Sequence, residues 1–365
     1  MERMPRTIDL PLLFTTIVLL LGGFLVLASA SMVIAEKNFG SLTYYTARQL
    51  FLGGLLGAVA CFIASRISYR VWRTWSPALM LIAFILLALL FVPSISYSVG
   101  GATRWLTIYG ISFQPSEFLK FAFIIYLASW LDARRREAGT VSYGMIPFAI
   151  MLAIVSVFLA MQPDIGTLGI IALTALFLYF LGGGKVYQIS TLAAFGVAVL
   201  YFLIQLAPYR LNRILVFLNP GTDPQGIGYQ INQALIAIGS GGFWGLGFGK
   251  GLQKYHYLPE PMGDSIFAIY AEEMGLVGAF ILIGAFLFFC MRGFLIAKKA
   301  PDQFGKLLAA GITVSITLQA FINMAAISGM LPLTGIPLPF VSYGGTSLAI
   351  TLASVGVLLN ISRYI

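Results

Sequence analysis

Ten apolar runs, most of them close to the length of a membrane-crossing helix, dominate this chain and dictate the solvent in which it folds. They fall at roughly 10–34, 46–65, 76–93, 116–131, 144–161, 166–182, 186–206, 265–291, 307–328 and 343–361. About 20 apolar residues cross a hydrocarbon core of about 30 Å. Inside lipid every backbone N–H and C=O must find its partner within the protein, which favours helices. Charged residues make up only 10% of the 365, against about 25% in a soluble globular domain. The expected architecture is an all-α integral membrane bundle of about ten transmembrane helices. It forms one domain over 1–365, with a large polar loop at 207–264 before the eighth span. The sixth run is the shortest fit, closed by Gly182, Gly183 and Gly184.

The net charge of +9 is spread over short connections. Nucleic-acid binding asks for a basic face on a soluble domain, and no loop here is large enough to make one. With the N-terminus in the cytoplasm, Arg3, Arg6, Arg66, Arg70, Arg73, Arg134 to Arg136, Lys298, Lys299 and Arg363 all fall inside. That distribution obeys the positive-inside rule and leaves both termini cytoplasmic. The two large connections, 94–115 and 207–264, then face outward. Ala28-Ser29-Ala30 resembles a signal-peptidase site, but the run from Leu10 to Ile34 exceeds an h-region of about 7–15 residues, so the first span is expected to be retained. Cys61 and Cys290 lie in apolar runs and read as buried thiols. The single His256 cannot build a histidine metal site.

Polar residues are scarce enough that their clusters carry information. Gln253 to Gly275 gathers Glu260, Asp264, Glu272 and Glu273 where a long loop enters the eighth span. Ionisable groups at membrane depth are costly and default to functional candidates. Asp264 either caps that helix or acts as a general base whose pKa is raised beside a low-dielectric wall. Glu272 and Glu273, two turns deeper, read first as partners of buried cations or of neighbouring helices. A second cluster joins Arg104 to Glu117 and Lys120, an i,i+3 pair on one helical face. The pair is either a self-satisfied lock between helices or, with Arg104, an electrostatic seat for a phosphate-bearing ligand. Met161 to Thr167 is a turn bearing one acid, Asp164, sufficiently explained by its Pro and Gly. Leu338 to Ser347, with Ser342, offers small residues for close backbone approach. The glycine-rich 239–251 resembles a phosphate loop, but it lacks Ser or Thr after Lys250 and follows no strand. Pro208 to Pro220 reads as a short amphipathic surface helix, followed by a turn-rich segment holding Gly221 and Pro224.

These motifs, in this order, resemble the SEDS family (shape, elongation, division and sporulation). The resemblance is carried by FQPSEFLK, QPDIGT, the stretch RILVFLNPGTDPQGIGYQINQALIAIGSGG, QKYHYLPEPMGDSIFAIYAEEMGLVG and GIPLPFVSYGGTSL, and it spans essentially the whole chain. Their wording is closer to the division branch, FtsW, than to the elongation branch, RodA. The resemblance implies a peptidoglycan glycosyltransferase that polymerises lipid II at the outer face of the bacterial cytoplasmic membrane. Implied partners are a class B penicillin-binding protein and other divisome or elongasome membrane proteins. The family's essential aspartate falls on Asp264, its fourth-span pair on Glu117 and Lys120, and its loop arginine on Arg104. Arg104 and Lys120 would neutralise the pyrophosphate, with Arg210 and Arg213 as further cations. Glu260 and Ser342 complete the candidate substrate contacts, and a divalent ion such as Mg or Mn is a conceivable aid. Where the family reads His-Thr before the aspartate and Phe after it, this chain has Met262-Gly263 and Ser265. A lipid-precursor flippase and a non-catalytic scaffold are the competing readings.

Overall fold

Helices form at all ten apolar runs, and the reason is local: within each run the backbone can satisfy itself in lipid only by winding up. The computed structural model describes residues 7–99, 102–108, 111–205, 208–219, 223, 226–255 and 257–365. Arg3, Arg6, Gly101, Pro220, Gly221, Pro224 and His256 lie outside the described residues. The ten are α1 (Leu10–Phe39), α2 (Tyr44–Arg66), α3 (Tyr69–Leu89), α4 (Pro115–Ala133), α5 (Val141–Met161), α6 (Ile165–Leu181), α7 (Val186–Gln205), α10 (Ile266–Lys299), α11 (Gln303–Ile327) and α12 (Gly345–Ser362). Eight are both long and apolar enough to cross a membrane. The exceptions are α6, with 17 residues, and α4, which carries Glu117, Lys120 and Asp132. Capping explains several boundaries: Asp9 accepts from Leu12 N at 2.9 Å before α1, and Asp302 from Gly305 N at 2.7 Å before α11.

The core is centred on α11 and α12, whose apolar stretches are 78% buried. α12 runs along α2 on a seam of small residues. A Cβ on Gly356 would lie 2.3 Å from the carbonyl oxygen of Cys61, and one on Gly57 would touch the Cα of Ala349 at 3.0 Å. Close backbone approach of this kind is how helices associate where lipid removes the hydrophobic drive. It shows the small residues of the last span at work in packing. Ala28-Ser29-Ala30 lies inside α1, with Ser29 and Ala30 fully buried.

The two large connections are themselves folded, the first against the all-helical expectation and the second in keeping with the expected amphipathic helix. The connection after α3 folds into a three-stranded antiparallel sheet, β1 (Ser96–Val99), β2 (Ala102–Ile108) and β3 (Ile111–Phe113). Its register pairs Ser96 with Leu106 and Leu106 with Phe113. The 207–264 loop holds two helices, the amphipathic α8 (Pro208–Leu218) and α9 (Ile227–Ser240). Ile231, Ala234 and Ala237 of α9 are buried, and the helix packs along α10.

Candidate active site

One end of the bundle collects the start of α4, the end of α5, the starts of α6, α10 and α12, and the end of α11. Asp264 sits there, two residues before α10. The expectation that it caps this helix is corrected: Ser265 holds the N-cap position and makes no side-chain cap bond. The Asp264 carboxylate turns instead toward α9, where Oδ1 accepts from Gln230 Nε2 at 3.2 Å and from the Ser265 hydroxyl at 3.4 Å. Ser265 thus supplies a hydrogen bond beside the aspartate, where Met262-Gly263 supply none from a side chain.

The main chain around Asp264 is held from three sides. Asn323 Nδ2 donates to Asp264 O and to Ile336 O, both at 2.8 Å. The Ser342 hydroxyl donates to Gly263 O at 2.7 Å and accepts from Leu338 N at 2.8 Å. Glu260, with φ 50°, closes the turn by accepting the N–H of Gly263 at 3.0 Å and of Ser265 at 3.3 Å. The structure therefore places Ser342 in the scaffold of the turn, and Glu260 beside Asp264 with its side chain exposed.

Arg213 is the cation that faces the acid. A Cβ on Gly335 would stand 3.8 and 3.9 Å from the two terminal nitrogens of Arg213 and 3.9 Å from Asp264 Oδ2. Acid and guanidinium thus converge on the bare side of that glycine, whose φ is 70°. Arg213 is aimed by a bond from Nη1 to Leu333 O at 2.9 Å, and its buried Nε has no partner among the described residues. Burial pushes the Asp264 carboxyl up to about 6, and the nearby Glu260 charge adds to this, while Arg213 opposes it. Burial also lowers Arg213, Asp264 offsets part of that, and the Arg104 charge lowers it further. The guanidinium nonetheless stays protonated.

Arg104, carried by β2, lies within that field. It donates from Nε to Gln162 O at 3.2 Å and from Nη2 to Pro163 O. The 162–166 turn in turn backs the 333–336 loop, since a Cβ on Gly166 would stand 2.8 Å from Thr334 O. Asp164 caps α6 through Thr167 N at 3.3 Å, as its turn chemistry suggests. The Gln162 amide and Asp164 Oδ2 are buried without partners among the described residues.

Two predicted groups lie apart from this cluster. Arg210 donates to Leu203 O at 2.7 Å and to Tyr209 at 2.8 Å, at the corner of α7 and α8. Glu117 and Lys120, 2% and 9% exposed, pair at 3.0 Å inside the bundle. Lys120 also donates to Gln319 of α11 at 2.5 Å, and Ser347 of α12 donates to Glu117 at 3.1 Å. The cavity that Lys120 lines has a volume of about 20 Å³, room for about one water and none for a pyrophosphate. This geometry matches the lock between helices. Glu273 and Glu272 likewise find structural partners, in Lys254 and in the amides of Leu252 and Gln253. The glycine-rich 239–251 spends the N–H groups of Leu246 and Gly247 on the carbonyls of Glu272 and Glu273. Among the described residues no three His, Cys, Asp or Glu side chains converge to cage an ion.

Sequence reasoning missed Gln230 and Asn323 and ranked Arg213 below Arg104 and Lys120. Asn323 could have been noticed, with Gln319, as one of two amides in the ninth apolar run. Nothing local marks Gln230.

A family model described as cell cycle protein, covering FtsW, RodA and SpoVE, matches residues 11–365. Stage V sporulation protein E of Bacillus subtilis is 40% identical over 98% of this chain and 97% of its own length. A probable peptidoglycan glycosyltransferase FtsW of Trichlorobacter lovleyi is 41% identical over 97% of this chain and 93% of its own length. Among solved structures, a chain from a peptidoglycan synthase complex that coordinates polymerization and crosslinking is 26% identical, with 98% of both chains covered and a TM-score of 0.81. The rod shape determining protein RodA of Thermus thermophilus is also 26% identical, covering 98% of this chain and 97% of its own, with a TM-score of 0.70.

Proposed function

The chain belongs to the FtsW/RodA/SpoVE family, and from that premise we propose that it is a peptidoglycan glycosyltransferase polymerising lipid II with Asp264 as its general base. The carrying observation is the convergence of a half-buried carboxylate, raised to about 6, with the guanidinium of the half-buried Arg213 across Gly335. The site end of the bundle faces the outside of the cytoplasmic membrane and both termini face the cytoplasm, in keeping with the basic residues at the opposite end.

The chemistry needs a proton acceptor and a countercharge. A carboxylate near pKa 6 is ionised at neutral pH yet basic enough to take a sugar hydroxyl proton as the bond forms. Asp264 Oδ2, which lacks the Gln230 and Ser265 contacts of Oδ1, accepts that proton from the acceptor 4-hydroxyl. The oxygen attacks the anomeric carbon of the donor, whose bond to the pyrophosphate oxygen breaks with inversion, and undecaprenyl pyrophosphate leaves. Arg213 and Arg104 offset the leaving charge in a partly desolvated site, where fixed cations act strongly. Gln230 and Ser265 hold the carboxylate; Asn323 and Ser342 hold its main chain; Glu260 raises its basicity. Glu117 and Lys120 serve by fixing α4 against α11 and α12. A divalent ion could draw on at most Asp264 and Glu260 here, and no step above depends on one.

The wording of the motifs supports an FtsW-like division role, with a class B penicillin-binding protein as partner. A flippase would place its polar site near the midplane on repeated half-helices, whereas this one lies at an end of the bundle. The test is incubation of lipid II with the purified protein and its cognate class B partner. Glycan strands support the assignment, and their absence under conditions where a known polymerase works removes it.

A further inference from the structure

The glycine-rich segment and the Glu272-Glu273 pair take no part in the chemistry above, yet they decide how Asp264 is carried. Gly275, with φ 66° and ψ −168°, breaks α10 into a short segment ending at Met274 and a long one beginning at Leu276. A side chain at Gly275 would lie 2.3 Å from Gly245 N, so both the backbone and the space demand glycine. The broken ladder is repaired from the loop. Leu246 N and Gly247 N donate to the carbonyls of Glu272 and Glu273 at 3.0 Å, while Leu276 N and Val277 N donate to Gly242 O and Phe243 O at 2.9 and 3.2 Å. Free backbone groups at membrane depth require such partners. The loop thus holds both sides of the break, across which the Tyr270 hydroxyl of the short segment donates to Gly278 O of the long one at 2.8 Å.

What holds the short segment laterally is a buried charge cluster. Glu273 Oε1 accepts from Lys254 Nζ at 2.7 Å and from the Ser29 hydroxyl of α1 at 2.6 Å. Lys254, fully buried, also reaches Ser29 Oγ at 2.8 Å and Gly249 O at 2.7 Å. Glu272 clamps the chain just before Lys254 by accepting Leu252 N at 2.8 Å. We propose that Lys254, Glu273 and Ser29 are positioning residues for Asp264. They latch the short segment of α10 to α1 and to the loop, and so set where the carboxylate stands relative to Arg213. The proposal rests on Asp264 as the base, and its test is built to separate the two.

The full chain is reconstituted in lipid nanodiscs with its class B partner as wild type, Lys254→Met, Glu273→Gln and the double variant Lys254→Met/Glu273→Met. Lipid II polymerisation is followed against pH, and amide hydrogen exchange is followed over residues 262–270. Lys254→Met is expected to lower kcat at least about tenfold with KM within about twofold, as loss of positioning does. Its acid limb should move to lower pH as Asp264 gains water, and exchange in 262–270 should rise. Arg213 and Glu260, the charged groups acting on Asp264, and Arg104, whose charge acts on Arg213, are untouched. Glu273→Gln keeps an acceptor for Lys254 and Ser29 but takes the countercharge from the buried ammonium, so it should lower kcat and raise exchange in the same direction as Lys254→Met. The double variant leaves no lone buried charge; it should melt like wild type and still turn over slowly. A double variant with the wild-type kcat would overturn the proposal, because only charge neutrality would then matter. So would a Lys254→Met protein whose acid limb and exchange are unchanged. If even the wild type makes no glycan, the enzymatic assignment fails, and exchange alone decides the latch: no rise in Lys254→Met overturns it.

Discussion

Asp264→Asn removes a charge that the fold holds at a cost, so the same substitution that silences the site should stabilise the protein. The carboxyl sits at its ordinary 3.8 in an unfolded chain and at about 6 in the folded one, chiefly through burial and the Glu260 charge. The folded state therefore binds this proton more tightly, and stability falls as pH rises from about 4 through about 6. Above that window the full separation applies, worth about 3 kcal/mol as an upper figure. Asn carries no charge and keeps an oxygen for Gln230, so most of that figure should appear as a gain. For a chain of this length it corresponds to about 3–6 °C in melting temperature. The assay is thermal unfolding of both proteins in one detergent at three pH values. The gain should be about 3 kcal/mol at pH 7.5, roughly half that at pH 5 and about 0.5 kcal/mol at pH 4. An Asn variant no more stable than wild type at pH 7.5, or a gain that persists unchanged at pH 4, would refute the reasoning.

The polymerisation rate should follow ionised Asp264, with an acid limb near pH 6 and roughly a tenth of the plateau at pH 5; Glu260→Gln removes the like charge and should move that limb to lower pH. Arg213→Ala should lower kcat by about 10²-fold through the lost countercharge and move the limb upward, since Arg213 holds Asp264 down; a pH–rate series on the variant reads both. Lys120→Met strands Glu117 in the bundle at 2% exposure and should cost about 3–5 kcal/mol, seen as a lost folded yield, whereas Lys120→Met with Glu117→Gln should recover much of it.

The spans were legible because their signal is local. Leu10–Phe39 or Gln303–Ile327 is apolar over enough residues that helix is the available answer in lipid. The Glu117–Lys120 pair was legible for the same reason, both partners sharing one helical face. What failed to show depends on contacts between distant segments. The break at Gly275 lies inside an apolar run and exists because Gly242 to Gly247 supplies the missing bonds. The sheet at 96–113 rests on strands of only three to seven residues, too short to announce themselves. The cap expected of Asp264 fell to Ser265 because α9 offers the carboxylate a better partner in Gln230. Arg213 outranks Lys120 beside the acid because Leu333 and Gly335, over a hundred residues later, shape its seat.

The central claim is that Asp264 takes the proton, and the direct measurement is lipid II polymerisation by wild type and Asp264→Asn, each purified with the class B partner. Asn preserves shape and the Gln230 contact but accepts no proton at neutral pH, so strands should form with wild type and fall by about 10²–10⁴-fold with the variant, while partner binding stays intact and the variant remains folded with the raised melting temperature predicted above. Strands at the wild-type rate from the Asn variant would contradict the account.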